Sequence, residues 1–448
     1  TICSFFIRYN CCDLFGFLMA TSPFICGALE GFYGRPWGQD QRLQLFRWLK
    51  DWDGMNTYMY APKDDLFHRS KWRELYPDSL LDELKSLIYS CHQKNIEFIY
   101  ALSPGLDITF SDDNDWEYLI NKINQVRSAG CSRFGLLFDD IPSKLEQVDE
   151  KTFSSFADAQ AHIANRLFDL FPESYLLFCP TVYCGQMADY DVPNNQYLNE
   201  LGENLNPEIG FFWTGPQVVS EKIPIDSIQE LQNVIKRKPI IWDNLHANDY
   251  DIRQIFFGPY AGRSLELKNE LGGILSNPNC QFWANYNPLR TLGMYNTASD
   301  SWNPRHAFQE SSKEWIQYFG NEKISLDEII LLGDCFYTPG RMGKSGNQIV
   351  DTIQFILNHP SNEWKDHKDK FKSFETRLNS LCSKLMITTN RDLLYDFYLP
   401  LWELREETEY VSKWIEWKQS GTGEFLSHEM VPRRQGILYN IQKKVHGE

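Results

Sequence analysis

The sequence predicts an α/β protein: a (β/α)8 barrel followed by an all-α helical bundle. Between residue 24 and about residue 275, short apolar or aromatic runs alternate with longer segments of helical period. Eight such strand–helix units over roughly 250 residues match the size of a (β/α)8 barrel. After SWNP (301–304) no further strand run is convincing and helical stretches take over.

The strand candidates are FICGALEG (24–31), NTYMYA (56–61), EFIYAL (97–102), FGLLF (134–138), YLLFCP (175–180), IGFFW (209–213), PIIW (239–242) and GGILS (272–276). Helical period fills the gaps. In one gap Leu80, Leu84, Leu87, Ile88 and Cys91 recur at three- and four-residue steps, with Asp82, Glu83 and Lys85 on the other face.

Each strand runs into a polar or glycine-rich ending. The endings read Gly31-Phe32-Tyr33-Gly34, Lys63-Asp64-Asp65, Ser103-Pro104-Gly105, Asp139-Asp140, Thr181-Val182-Tyr183, Thr214-Gly215, Asp243-Asn244 and Asn277-Pro278-Asn279. In a barrel all of them converge on the rim that carries the active site. Ordinary turn and cap chemistry accounts for Gly, Asp, Asn and Ser one at a time. It does not account for Lys63 or the doubled carboxylates.

Beyond the barrel, helices are expected at about 305–319, 326–337, 346–358, 364–386, 391–418 and 430–445, where Leu393, Leu394, Phe397, Leu401 and Trp402 supply apolar surface for a bundle or a dimer seam. The predicted organisation is an extension outside the fold over 1–22, a catalytic barrel over 23–303 and a helical domain over 304–448. Residues 1–18 are apolar but interrupted by Arg8, Asn10 and Asp13, and Met19 opens a segment that reads like a natural start.

Composition narrows the function. The net charge of −16, from 60 acidic and 44 basic side chains, opposes a nucleic-acid or anionic-membrane partner, because binding phosphates needs Lys and Arg. No apolar run is long enough for a membrane span. Eleven cysteines without CxxC spacing, and no Asn-x-Ser/Thr acceptor, point to free thiols in a reducing compartment, the cytoplasm or nucleus. The aromatic share of 15% suits either larger cores or a ligand with flat apolar faces such as a sugar.

The strongest local signal is GLLFDDI (135–141), an apolar strand running into Asp139-Asp140. Adjacent carboxylates repel unless protonated or engaged, so the arrangement costs stability. Neighbouring residues of an extended strand point to opposite sides, which lets the two groups address different atoms of one ring. Paired carboxylates suit glycosidic cleavage, where an acid protonates the leaving oxygen and a second group serves the anomeric carbon. They also bind divalent metals, but of nine histidines only His246 falls close after a strand, so neither metal nor cofactor is expected.

Eight ordered motifs extend that reading: EGFYGRPW (30–37), YAPKDD (60–65), SPGLDITF (103–110), LLFDDI (136–141), CPTVYCG (179–185), WTGP (213–216), WDNLHANDYD (242–251) and NPNC with ANY (277–286). Together they resemble the family 84 glycoside hydrolases, strongly over residues 24 to 300, and more weakly over the helical part, which looks like that family's stalk domain. The resemblance implies a retaining enzyme that removes O-linked N-acetylglucosamine from Ser and Thr of nuclear and cytoplasmic proteins, through attack by the substrate's own acetamido oxygen. Asp139 would then orient the acetamido N–H, and Asp140 would act as general acid and base. Gly31, Lys63, Asp249 and Asn285 would bind around the ring hydroxyls, Tyr183 and Asn244 would steady the acetamido group, and Trp242, Tyr250 and Val218 would line the site. A homodimer through the helical domain is implied as well. Val182 and Trp283 depart from the more polar residues expected at their positions, which bears on contacts to the aglycone. Two other readings stay open: a hexosaminidase or hyaluronidase-like enzyme acting on free glycans, and a sugar-binding barrel without catalysis.

Overall fold

The computed structural model describes residues 24–321, 323–420 and 441. The expected extension over 1–22 lies outside the described residues, as does the helix expected over 430–445 apart from Ile441. Eight parallel strands close into a barrel in sequence order. They are β1 (Ile25–Glu30), β2 (Thr57–Tyr60), β3 (Glu97–Leu102), β4 (Arg133–Leu137), β5 (Tyr175–Cys179), β6 (Gly210–Trp213), β7 (Ile240–Asp243) and β8 (Gly273–Ser276). The ring is sealed by β8 against β1, with Cys26 opposite Ile274.

All strand residues but a few at the amino ends are buried, since the lumen fills one face and the helices cover the other. Leu29, Met59, Ile99, Leu137, Leu177, Phe212 and Leu275 fill the lumen, so the barrel is a packed core with its opening only at the rim. Outside run α1 (Gln39–Asp51), α2 (Asp78–His92), α3 (Asp113–Ser128), α4 (Phe156–Leu170), α5 (Gln196–Asn204), α6 (Ile225–Ile235) and α7 (Tyr286–Thr297). In α2 the buried side is Leu84, Leu87, Ile88 and Cys91, whereas Leu80 at the first turn is exposed.

One unit departs from the expected alternation. After β7 there is no α-helix but a long loop and a 3-10 turn, Leu265–Glu270. The loop is held by other bonds: the amides of Phe257 and Gly258 donate to the carbonyls of Phe336 and Tyr337, each at 2.7 Å. A Cβ on Gly258 would lie 2.3 Å from the Tyr337 oxygen, so only glycine permits that approach. The segment that lacks a helix therefore helps to dock the helical part.

That part contains α8 (Pro304–Trp315), α9 (Leu326–Cys335), α10 (Lys344–Asn358), α11 (Lys365–Leu385) and α12 (Arg391–Ser420). Asn303 caps α8, Ser325 with Glu328 forms a capping box on α9, and Pro400 lies inside α12. Phe257 from the β7 loop packs on Trp315, Phe336 and Phe397 at centroid distances of 5.7, 5.8 and 4.8 Å, so the barrel's outer core runs on into the helices.

Candidate active site

At the carboxyl ends of the strands lies a cavity of about 300 Å³. Its apolar lining is Cys179 at the end of β5 and Trp242 from β7, with Val218 and Val219 from the loop after β6. Lys63, Asp139, Asn244 and Asn277 supply buried polar groups, and Asp249 and Tyr250 stand at the mouth.

The ladder of β4 ends at Leu137, which places Asp139 and Asp140 just past it with their side chains free of the sheet. Asp139 is 6% exposed and pairs through Oδ2 with the ammonium of Lys63, itself buried. Its other oxygen, Oδ1, is buried and has no hydrogen-bond partner. Burial pushes this carboxyl up, but the charge and hydrogen bond of Lys63 outweigh burial and hold it below the usual carboxylate range. The result is an anion with an unpaired acceptor at the cavity.

Asp140 is held differently. Its backbone is left-handed, with φ of +53°. Tyr183 donates to Oδ1 and Tyr33 donates to Oδ2, each at 2.8 Å. Burial and the nearby Asp140 charge raise both phenols well above their ordinary range, so each stays protonated and acts as a donor. The two aspartates thus diverge, and the left-handed turn at Asp140 rather than strand alternation separates them: one is buried against a lysine, the other sits at the mouth between tyrosines.

The remaining wall is fixed by side-chain bonds between loops. Asn244 Nδ2 donates to the Val218 carbonyl at 2.8 Å, while its Oδ1 accepts from Trp242 Nε1 at 3.1 Å and from Asn277 Nδ2 at 2.9 Å. Asn277 Oδ1 is a second buried acceptor without a partner. Below, Arg263 pairs with Asp243 through two bonds of 2.8 and 2.7 Å and donates to the carbonyls of Ser220 and Glu221, tying β7 to the β6 loop. Tyr250 is half exposed; burial of its ring and the adjacent Asp249 push its hydroxyl up to about 12.

Of the residues singled out in the sequence, Gly31, Lys63, Asp139, Asp140, Tyr183, Val218, Trp242, Asn244, Asp249 and Tyr250 meet around this cavity. Asn285 does not, and its expected place among the ring-hydroxyl ligands is corrected. It is fully buried, its Oδ1 accepting from Asn279 and its Nδ2 donating to the carbonyls of Asn279, Gln281 and Phe282, so every polar atom is spent on one turn. Asn277, the first residue after β8, lines the cavity instead. The strand-end rule that identified the other residues identifies this one too. Gly31 lines the cavity, and a Cβ there would lie 2.2 Å from Leu29 Cδ2 and 2.5 Å from the Trp242 ring, so the close packing of the indole requires glycine. Trp283 lies away from the cavity, packed against Trp48, Phe282 and Tyr318.

Among the described residues no group of three or more His, Cys, Asp or Glu is arranged to hold a metal. A family model described as beta-N-acetylglucosaminidase (NAGidase) matches residues 26–329, which spans the whole barrel. The chain belongs to the β-N-acetylglucosaminidase family. The mouse and rat proteins named Protein O-GlcNAcase are each 51% identical to it over 274 residues, covering 61% of this chain and 30% of theirs. The chain therefore matches less than a third of the length of those relatives. A solved O-GlcNAc hydrolase from Thermobaculum terrenum superimposes with a TM-score of 0.78 at 27% identity, covering 88% of this chain and 84% of its own, helical part included. For a β-N-acetylglucosaminidase, the pair Asp139 and Asp140 is the feature to explain.

Proposed function

We propose that the chain removes β-linked N-acetylglucosamine from Ser and Thr of proteins, with retention, using the sugar's acetamido group as nucleophile. The observation that carries this reading is Asp139 Oδ1, a buried anionic acceptor without a partner, beside a second carboxylate. An acetamido N–H supplies the donor it lacks. With that proton held by Asp139, the acetamido oxygen bonds to the anomeric carbon as the bond to the Ser or Thr oxygen breaks. Asp140 passes its proton to the departing oxygen. Water then attacks the anomeric carbon, returns a proton to Asp140 and reopens the oxazoline. Trp242 and Val218 keep other water from the intermediate, Asn244 and Tyr183 steady the acetamido group, and Lys63, Asn277 and Asp249 take ring hydroxyls. No step needs a metal or cofactor.

The test is release of N-acetylglucosamine from an aryl β-N-acetylglucosaminide and from a glycopeptide. Asp139→Asn is expected to lower turnover of both by about 10³-fold or more, the range of losses when a transition-state charge partner is removed. Near-normal turnover in that variant sinks the assignment. Cleavage of chitobiose or hyaluronan in preference to glycopeptide would move the substrate to free glycans. Sugar binding without any turnover would leave only the non-catalytic reading.

The same reading places the substrates among nuclear and cytoplasmic proteins, supported by eight free cysteines among the described residues. It also pairs two chains through the helical domain, where Ile387, Tyr395, Tyr398 and Leu399 are exposed. Sedimentation as a monomer at micromolar concentration would remove the dimer.

A further inference from the structure

We propose that Arg69 and Tyr33 form a brace that positions Asp140 and dictates which of its oxygens carries the catalytic proton. This rests on the acid–base role proposed for Asp140. A left-handed backbone at a non-glycine residue is sparsely populated and is held here by surrounding bonds. At Asp140 two of them lead back to one side chain. Arg69, 7% exposed, donates from Nη2 to the Asp140 carbonyl oxygen at 3.2 Å and from Nη1 to the Tyr33 hydroxyl at 2.5 Å. Tyr33 in turn donates to Asp140 Oδ2 at 2.8 Å. The guanidinium lies 5.3 Å from the centroid of the Tyr33 ring. One arginine thus holds Asp140 at both ends, directly at its carbonyl and through a phenol at its carboxylate.

The loop bearing Tyr33 is itself anchored. The Tyr33 amide donates to Asp249 Oδ2 and the Gly34 amide to Asp64 Oδ2, each at 2.9 Å. The phenol is therefore presented from a fixed backbone.

The bonds have a direction. An arginine only donates, so the Tyr33 oxygen accepts from Arg69 and its own proton must point at Asp140 Oδ2. A proton on Oδ2 would face that phenolic hydrogen, so the acid proton belongs on Oδ1. Oδ1 is the atom capped by Tyr183, whose hydroxyl makes that one bond among the described residues and is in this proposal the group that turns to the bound acetamido group, whereas the Arg69 bond keeps Tyr33 in place. When Tyr183 turns, Oδ1 is exposed to the glycosidic oxygen.

Tyr33→Phe and Arg69→Met test the brace through steady-state kinetics on two substrates, with thermal melts to check folding. Each is expected to lower kcat on a glycopeptide, whose alkoxide leaving group needs the acid, by about 10–30-fold, and to change kcat on an activated aryl glycoside by about 3-fold or less, a fraction of the usual general-acid contribution. KM should change little. In an Asp140→Asn background neither substitution should cost anything further, because the brace acts only through that carboxyl. If Arg69→Met fails to fold, Tyr33→Phe, which keeps the ring, decides alone. Equal losses on both substrates, or full losses in the Asp140→Asn background, overturn the proposal. A parent enzyme that cleaves neither substrate sinks the hydrolase reading itself, whereas an active parent with an indifferent Tyr33→Phe sinks the brace alone.

Discussion

Two buried carboxylates, each paired with a lysine and each 6% exposed, distinguish the barrel from the helical part: Asp139 with Lys63, and Glu328 with Lys384. Glu328 is fully engaged. It accepts from the Ser325 amide at 2.8 Å, from the hydroxyls of Ser325 and Ser380 at 3.0 Å each, and from Lys384 at 2.7 and 2.8 Å. Asp139 keeps one oxygen without a partner. Burial opposes ionisation at both sites and the lysine partners overcome it, so both carboxyls are held below their ordinary range. The same chemistry closes a helix cap in one region and leaves an acceptor facing a cavity in the other. Positive φ at non-glycine residues is also confined to the barrel among the described residues: Asp140, Asp189 and Tyr190 adopt it on loops beyond strand ends, and Asn95 and Lys236 at the turns that follow helices. At these two carboxylates the unmet acceptor goes with the cavity and the satisfied one with a helix cap.

The comparison is broken most severely at the two carboxylates themselves. Asp139→Asn is expected to cut turnover by about 10³-fold or more and also to cost about 3 kcal/mol in denaturant unfolding, because it strands the buried ammonium of Lys63. Glu328→Gln should cost less, about 1–2 kcal/mol, because the side chain of Lys384 is 28% exposed and reaches solvent, with kcat nearly unchanged. The Glu328 contribution has a defined pH window. Its folded carboxyl lies below the unfolded value of about 4.3, so the stabilisation is present above that pH and fades as pH falls through the lowered folded value. The acid limb of the parent's melting profile should therefore flatten in the variant.

Two asparagines sharpen the contrast inside the barrel. Asn277→Ala should raise KM or lower kcat by about tenfold with little change in melting temperature, since its free acceptor serves the cavity. Asn285→Ala should cost about 1–3 kcal/mol, since it strands several buried turn groups, and should leave kcat per folded molecule within a factor of about two.

The smallest effect is expected where the regions meet. Asp396 of α12 accepts from the Trp283 amide at 2.8 Å, and burial pushes its carboxyl up to about 7. Because the folded value lies above the unfolded one, this contact stabilises fully in acid and its contribution is lost as pH rises through 7. Asp396→Asn keeps an acceptor but cannot ionise. It should raise the melting temperature at pH 8 by about 2–4 °C and have little effect at pH 5.

Much of this was legible from residue order. Strand boundaries read from apolar runs agree with the observed ones within a residue or two, and β3 coincides. The strand-end rule places Lys63, Asp139, Asp140, Asn244 and Asn277 on one rim because each lies within three residues of a strand's end. Asn285 looked equivalent to Asn277 as a residue type in the same motif, and only its bonds separate them. Arg69 carried no signal: it lies in an irregular loop six residues past Lys63, and its value comes from meeting a phenol and a carbonyl from two other loops.

By itself the sequence determined the alternation of strands and helices, the change to all-helical structure after residue 304, and the identity of the two carboxylates, because periodicity and motif are local properties of the chain. The tertiary structure decided how each group is satisfied: that Lys63 neutralises Asp139 and leaves Oδ1 open, that two tyrosines and an arginine hold Asp140, and that Asn285 is spent on a turn. Hydrogen-bond partners for a side chain beyond a strand come from neighbouring loops tens to hundreds of residues away. Which polar atom is left for a substrate is therefore settled only when the ring of strands has closed.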